Sequence, residues 1–207
     1  MERRRAWGAR SVLVIAATLA SLSPPPAGAE ELPQRTVTVT RGGKPVTLLG
    51  SELKIGDRAP EFVVMSNEFK PVTLKDYTGK IKVISSISSL DTNLCSTETK
   101  HFNELAAQMG EDVVVLTISM DLPYAQRRWC GSNGIDRVVA LSDYKEHSFG
   151  KRYGLITNDL LLLARAVLIV DQQDVVRYLQ LVPEIRQEPN YDDVLKALGE
   201  IKGGGKG

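Results

Sequence analysis

Segments typical of buried strands, alternating with helical segments, constrain the fold of this chain more than any other sequence feature. Ile81–Ile87 is rich in β-branched residues, Asp112–Ser119 is an almost continuous apolar run, and Ala166–Val170 is wholly apolar. Such runs are typical of strands with both faces covered. Between the first two, Thr92–Met109 has apolar residues at helical spacing and is followed by Gly110, which favours a helix end.

The remaining segments complete this alternation. An N-terminal β-hairpin is predicted over Arg35–Leu49, with its turn at Gly42 and Gly43. Further strands are predicted at Glu61–Met65, Lys70–Leu74, Val138–Leu141 and Val175–Val182, and further helices at Pro123–Cys130, Glu146–Tyr153 and Asn190–Ile201. This order predicts one α/β domain over residues 30–202, with a mixed central sheet and helices on both faces. Residues 203–207 are predicted to form a flexible glycine-rich tail.

The first 29 residues have the three-part layout of a secretory signal. Four arginines precede an apolar run over Ser11–Leu22, and three prolines and the small-residue triplet Ala27-Gly28-Ala29 follow. The apolar run is too short to span a bilayer, so we expect cleavage after Ala29 and export to a periplasmic or extracellular space.

Removal of residues 1–29 takes away four arginines and one glutamate, which changes the net charge from +1 to −2 and leaves 178 residues. This near-neutral chain lacks the basic surface expected of a protein that binds nucleic acid or an anionic membrane. The mature chain is also predicted to have no membrane span, and its length fits one domain with its own core.

The two cysteines, Cys95 and Cys130, have unequal predicted environments. Cys95 falls in the first turn of a helix whose N-cap is Asp91 or Thr92, where unpaired N–H groups and the helix dipole favour a thiolate. Cys130 falls near the end of a helix, which makes it a partner rather than the attacking group. In an exported protein two cysteines also fit a permanent structural disulfide, and this alternative stays open.

Other chemistries find little support in the sequence. The two histidines and two cysteines have no spacing suited to zinc, and neither a CxxC motif nor a phosphate-binding loop is present, so we predict no metal and no cofactor. Arg165 stands out because it enters an apolar strand, where a charge is costly unless it meets an anion. That anion is either a carboxylate, in a structural role, or a thiolate, whose reactivity the arginine would then increase.

Two segments carry a resemblance to a known family. The Ser-x-Asp-Thr-x-x-Cys stretch ends at Cys95, and Asp-Leu-Pro-x-Ala-Gln-x-Arg-x-Cys-Gly covers residues 121–131. With Ala164–Val167 and Leu181–Ile185, these stretches resemble the thiol peroxidase group, or atypical two-cysteine peroxiredoxins, of the peroxiredoxin superfamily. The resemblance implies a thioredoxin-like fold, a homodimer, and a peroxidase that reduces hydrogen peroxide and organic hydroperoxides.

The same resemblance assigns roles to four residues. Cys95 would be the peroxidatic cysteine and Cys130 the resolving one, joined as a disulfide during turnover and reduced by a thioredoxin-like dithiol protein. Thr92 would hydrogen-bond the peroxide and the thiolate, and Arg165 would stabilise charge. One position departs from the group's pattern, since Ser88 stands where a proline is usual. Serine leaves the backbone freer and adds a hydroxyl near the sulfur, so we expect retuned or lost activity.

Overall fold

The computed structural model describes residues 32–204. The predicted signal segment, residues 1–29, and the last three tail residues lie outside this range. Ten strands and four α-helices occupy the described residues: β1 Gln34–Arg41, β2 Lys44–Leu49, β3 Val63–Met65, β4 Pro71–Thr73, β5 Ile81–Ser86, α1 Asn93–Met109, β6 Val113–Ser119, α2 Pro123–Asn133, β7 Val138–Ser142, α3 Ser148–Tyr153, β8 Ile156–Thr157, β9 Ala166–Val170, β10 Val176–Leu181 and α4 Tyr191–Gly204.

A seven-stranded mixed sheet forms the centre of the fold, in the order β10-β9-β5-β6-β7-β3-β4. Strands β5, β6 and β7 are parallel, whereas β9 is antiparallel to β5 and β3 to β7. A smaller sheet joins the predicted β1–β2 hairpin to β8. The predicted α/β architecture with a mixed sheet and an N-terminal hairpin is confirmed.

Helices cover both faces of the central sheet, which explains why β5 is buried along its whole length. On one face, Phe102 of α1 and Val194 of α4 pack against Val83 of β5. On the other face, Phe149 of α3 packs in the cluster that contains Ile84. Successive residues of β5 therefore belong to opposite cores, as the pleat of a strand requires.

Three local features differ from the sequence prediction. Helix α2 continues past Cys130 to Asn133 and ends at Gly134, whose φ of 65° gives the left-handed cap that Gly131 was expected to supply. The two-residue strand β8 was missed, because so short a segment carries no periodicity. Helix α4 runs through Gly203 and Gly204, so it extends into the predicted tail.

The pH dependence of stability should carry a contribution from Asp143, which is buried after β7. Its carboxylate accepts the N–H groups of Phe149 and Gly150 at 3.1 and 2.8 Å. Burial nevertheless raises the pKa of Asp143 to about 6, against the opposing effect of these hydrogen bonds. Because the folded pKa lies above the unfolded value, this group's stabilisation is complete below the unfolded pKa and is lost as the pH rises through about 6.

Chemical denaturation of the wild type and of Asp143→Asn across this pH range measures the contribution. The difference in unfolding free energy, wild type minus variant, should fall by roughly 3 kcal/mol from acidic to neutral pH. If the difference in unfolding free energy stays constant with pH, the Asp143 carboxyl does not have the raised pKa expected from its burial, and the prediction is wrong.

Candidate active site

Cys95 lies in the first turn of α1 and is almost fully buried, with 1% of its surface exposed. Thr92 is the N-cap, as one of the two predicted alternatives had it. Ile87 and Leu90 pack with Cys95 in one apolar cluster, and Trp129 of α2 contacts the same cluster. The cysteine therefore packs against apolar side chains at the N-terminus of a helix, where the helix dipole is positive.

The loop before α1 is shaped by its own polar side chains. Thr92 donates its hydroxyl to the Ser89 carbonyl at 2.9 Å, which closes the turn that starts the helix. Asp121, at the entrance to α2, accepts the Ser89 hydroxyl and the Leu90 N–H, each at 2.7 Å. One carboxylate thus joins the loop that carries Cys95 to the segment that leads to Cys130.

Arg165 reaches Cys95 from the start of β9. It is 2% exposed, and its Nη2 lies 3.2 Å from the Cys95 Sγ. Its Nε donates to the Ile185 carbonyl at 3.0 Å, and its Nη1 donates to the carboxylate of Glu98. Both partners considered from the sequence, a carboxylate and a sulfur, are therefore present around one guanidinium.

Glu98 is a site residue that the sequence reasoning missed. It lies three residues after Cys95 on the same face of α1, is fully buried, and accepts the Ser85 hydroxyl at 2.7 Å. Burial raises the pKa of the Glu98 carboxyl, while Arg165 and Ser85 oppose that rise. The sequence carried no local signal for this role, because a single acid on a helix is normally exposed.

Arg165 keeps its charge in this environment. Burial acts to lower the pKa of its guanidinium, but the Glu98 carboxylate and the Cys95 sulfur outweigh that effect, and the pKa is raised. A permanent positive charge therefore lies 3.2 Å from the sulfur, in position to stabilise negative charge that develops there during a reaction.

A cavity of about 470 Å³ opens next to Cys95. Its polar lining consists of Ser88, Thr92, Arg165, Arg41 and Arg186, and its apolar lining includes Leu94, Leu160 and Ile185. Leu160 is 55% exposed because Leu160 and Leu161 precede β9 in a loop, although their sequence suggested an apolar run into the strand. The structure therefore brings together Cys95, Thr92 and Arg165 at a solvent-accessible recess.

Cys130 does not join this group. It is half-buried in α2, and both cysteines are free thiols that are not near each other. Burial raises the pKa of the Cys130 thiol, against hydrogen bonds from Asn67 and the backbone. A thiol with a raised pKa is a poor first nucleophile, and the partner role of Cys130 stays a prediction.

No group of three or more His, Cys, Asp or Glu side chains within residues 32–204 is arranged to hold a metal ion. His101 instead stacks on Tyr191, with ring centroids 4.1 Å apart. Across the same stretch of chain, no helix combines the length and the apolar character needed to cross a membrane.

The fold is a mixed sheet with helices on both faces. Its buried cysteine lies at the start of a helix beside an arginine, and this arrangement is typical of a thiol-based redox protein. Comparison with known proteins agrees. The Redoxin family profile matches residues 54–195. A thiol peroxidase of Oceanobacillus iheyensis is 50% identical over 162 residues, which cover 78% of this chain and 98% of the relative. A thiol peroxidase of Bacillus subtilis is 48% identical over 159 residues, covering 77% and 95%.

Solved structures show the same relationship. A peroxiredoxin-like protein from Aquifex aeolicus superposes with a TM-score of 0.75 at 46% identity, covering 79% of this chain and 96% of that one. A thiol peroxidase from Chromobacterium violaceum, at 20% identity, shares the fold with a TM-score of 0.73. The chain belongs to the Redoxin family and is a peroxiredoxin-type enzyme.

Proposed function

We propose that this protein reduces hydrogen peroxide and organic hydroperoxides through a sulfenic acid on Cys95 and a Cys95–Cys130 disulfide. The observation that carries the proposal is the contact between the Arg165 guanidinium and the Cys95 sulfur beside an open cavity. The relatives named thiol peroxidases support a peroxidase reaction that uses a thiol.

In the first step, the Cys95 thiolate attacks one oxygen of the O–O bond. An S–O bond forms, the O–O bond breaks, and the departing oxygen takes a proton to leave as water or an alcohol. Arg165 stabilises the negative charge as it moves from sulfur to the departing oxygen. Thr92 lines the same cavity, and its hydroxyl oxygen has a lone pair free to accept a hydrogen bond from the peroxide O–H.

In the second step, the Cys130 thiol gives up its proton and its sulfur attacks the Cys95 sulfenic sulfur. The S–S bond forms as the S–O bond breaks, and the departing hydroxide takes a proton to leave as water. Because the two cysteines start apart, α2 and the first turn of α1 must loosen for this step. Trp129 must leave the apolar cluster around Cys95, and the hydrogen bonds of Asp121 to the Cys95 loop must open. A thioredoxin-like dithiol protein then reduces the disulfide by exchange.

The apolar part of the cavity supports organic hydroperoxides as substrates. Leu94, Leu160 and Ile185 offer surface to an alkyl chain, and the cavity is far larger than hydrogen peroxide requires.

Export after cleavage at Ala29 and assembly as a homodimer belong to the same proposal. They are supported by the signal-like segment and by the resemblance to the thiol peroxidase group.

Replacing Cys130 tests the disulfide cycle. Cys130→Ser should still reduce about one equivalent of peroxide per chain, because the first step uses the Cys95 thiol and not Cys130, and should then stop. Dimedone, which reacts with sulfenic acids, should add to Cys95 in the oxidised variant, and mass spectrometry measures the adduct. Turnover with a thioredoxin-type reductant should be lost.

Ser132→Ala is the matched control, since Ser132 is exposed on the same helix. It should turn over at the rate of the wild type. Continued turnover of Cys130→Ser at that rate would overturn the resolving role of Cys130 and leave the peroxidatic role of Cys95 standing.

A further inference from the structure

Ser88 makes a buried hydrogen bond that links the two halves of the candidate site. It lies between the end of β5 and the turn that starts α1, and 5% of its surface is exposed. Its hydroxyl donates to the Leu163 carbonyl at 3.0 Å. Leu163 lies two residues before Arg165. This bond therefore joins the loop between β5 and α1, which precedes Cys95, to the segment that contains the arginine.

The other hydrogen bonds of this loop lead away from the Leu163–Arg165 segment, as when the Ile87 N–H donates to the Ile118 carbonyl at 3.0 Å. Ser86 pairs with Ala166 within the sheet, but the strand ends there, and Ser88 already lies outside it. The neighbouring residue Ser89 is tied to Asp121, which lies towards α2 rather than towards Arg165. Two hydroxyls therefore reach the Leu163–Arg165 segment: Ser86 donates to Ala164 from the end of β5, and Ser88 donates to Leu163 from the loop beyond the strand.

We propose that Ser88 is a positioning residue, whose hydroxyl sets the contact between Arg165 and Cys95 by anchoring the loop on the Leu163 carbonyl. The inference rests on the proposed peroxidase function of Cys95. In the resembling group a proline restricts the backbone at this position through its ring. In this protein the Ser88 hydrogen bond to the Leu163 carbonyl restricts the backbone instead of a proline ring.

Alkylation of Cys95 by iodoacetamide, followed against pH in a Cys130→Ser background, measures the effect on the thiol without peroxide. Ser88→Ala should move the midpoint of that profile to higher pH, because a looser Arg165 stabilises the thiolate less. The rate constant with hydrogen peroxide should fall roughly tenfold, the size expected from one lost buried hydrogen bond.

Ser86→Ala is the matched control. Its hydroxyl donates to the Ala164 carbonyl at 2.9 Å, so the variant loses the same kind of bond to the adjacent residue. Strand pairing holds Ser86 in place, however. In Ser86→Ala the midpoint of Cys95 alkylation should therefore not move, even if the melting temperature of the variant falls. Ser88→Pro should recover most of the peroxide rate that Ser88→Ala loses.

The proposal is overturned if Ser88→Ala leaves both the alkylation midpoint and the peroxide rate unchanged, or if Ser86→Ala shifts the midpoint as much. If Ser88→Pro reacts with hydrogen peroxide as slowly as Ser88→Ala, a proline ring does not replace the Ser88 hydrogen bond, which would contradict that part of the proposal. A wild type that is alkylated normally but ignores peroxide would refute the peroxidase function instead, while the alkylation profiles would still decide the role of Ser88.

Discussion

Cys95→Ser is expected to abolish peroxide reduction, with the rate constant for hydrogen peroxide falling by roughly 10⁴-fold or more to the uncatalysed level. The reason is chemical, since a serine hydroxyl stays protonated at neutral pH and does not attack the O–O bond as a thiolate does. Peroxide consumption followed in a stopped-flow instrument measures the loss.

The fold should survive this change. Serine is close to cysteine in size, and its hydroxyl oxygen can accept the Arg165 N–H that now reaches the sulfur. Circular dichroism and the melting temperature check that point. Residual turnover above a few per cent in a folded Cys95→Ser protein would place the reaction on Cys130, and would contradict the assignment of the attacking thiol.

Arg165→Met should reduce both stability and activity. Glu98 would remain fully buried with its cationic partner removed, and loss of one partner of a buried ion pair costs about 3–5 kcal/mol of unfolding free energy. The rate with peroxide should fall by roughly 10²–10³-fold, as when one preorganised donor to a developing negative charge is removed. Urea denaturation and stopped-flow kinetics provide the two measurements.

A double variant separates these effects. Glu98→Met together with Arg165→Met replaces the whole buried pair with apolar side chains, which is often neutral for stability. We therefore expect stability to recover towards that of the wild type while the peroxide rate stays low. If the double variant regained activity, Arg165 would matter to the fold alone, and its role beside the sulfur would be wrong.

The parts of the fold that the sequence predicts are those with a strong local pattern. The apolar runs of β6 and β9 are confirmed because strands covered on both faces show few polar residues. The N-cap of α1 is confirmed at Thr92, one of the two predicted positions, although its hydroxyl closes the preceding turn on the Ser89 carbonyl rather than capping the helix. Gly131 does not end α2 as predicted, because the left-handed backbone that stops the helix occurs at Gly134 instead.

The candidate site was predicted less completely, because its contacts join residues far apart in the chain. Cys95 and Arg165 each stand out locally, one at a helix start and one in an apolar run. Glu98 does not, since a single acid on a helix is normally exposed. Its ion pair with Arg165 spans 67 residues of sequence, and no local pattern reports such a contact.

Ser88 illustrates the same limit. The sequence places a hydroxyl near the sulfur, but only the packing of the loop against Leu163 directs that hydroxyl to a carbonyl. The separation of Cys130 from Cys95 is likewise a property of how α2 packs. Trp129, rather than Cys130, contacts the cluster around Cys95.

Oxidation of the wild type by one equivalent of hydrogen peroxide, followed by tryptophan emission and by free-thiol count, tests the central claim most directly. Trp129 adjoins Cys130 and contacts the Cys95 cluster, so its emission should report both steps. We predict a first phase whose rate is proportional to peroxide and a second that is independent of it, while the free thiols fall from two to none. Unchanged emission and two remaining thiols after several minutes would contradict the account.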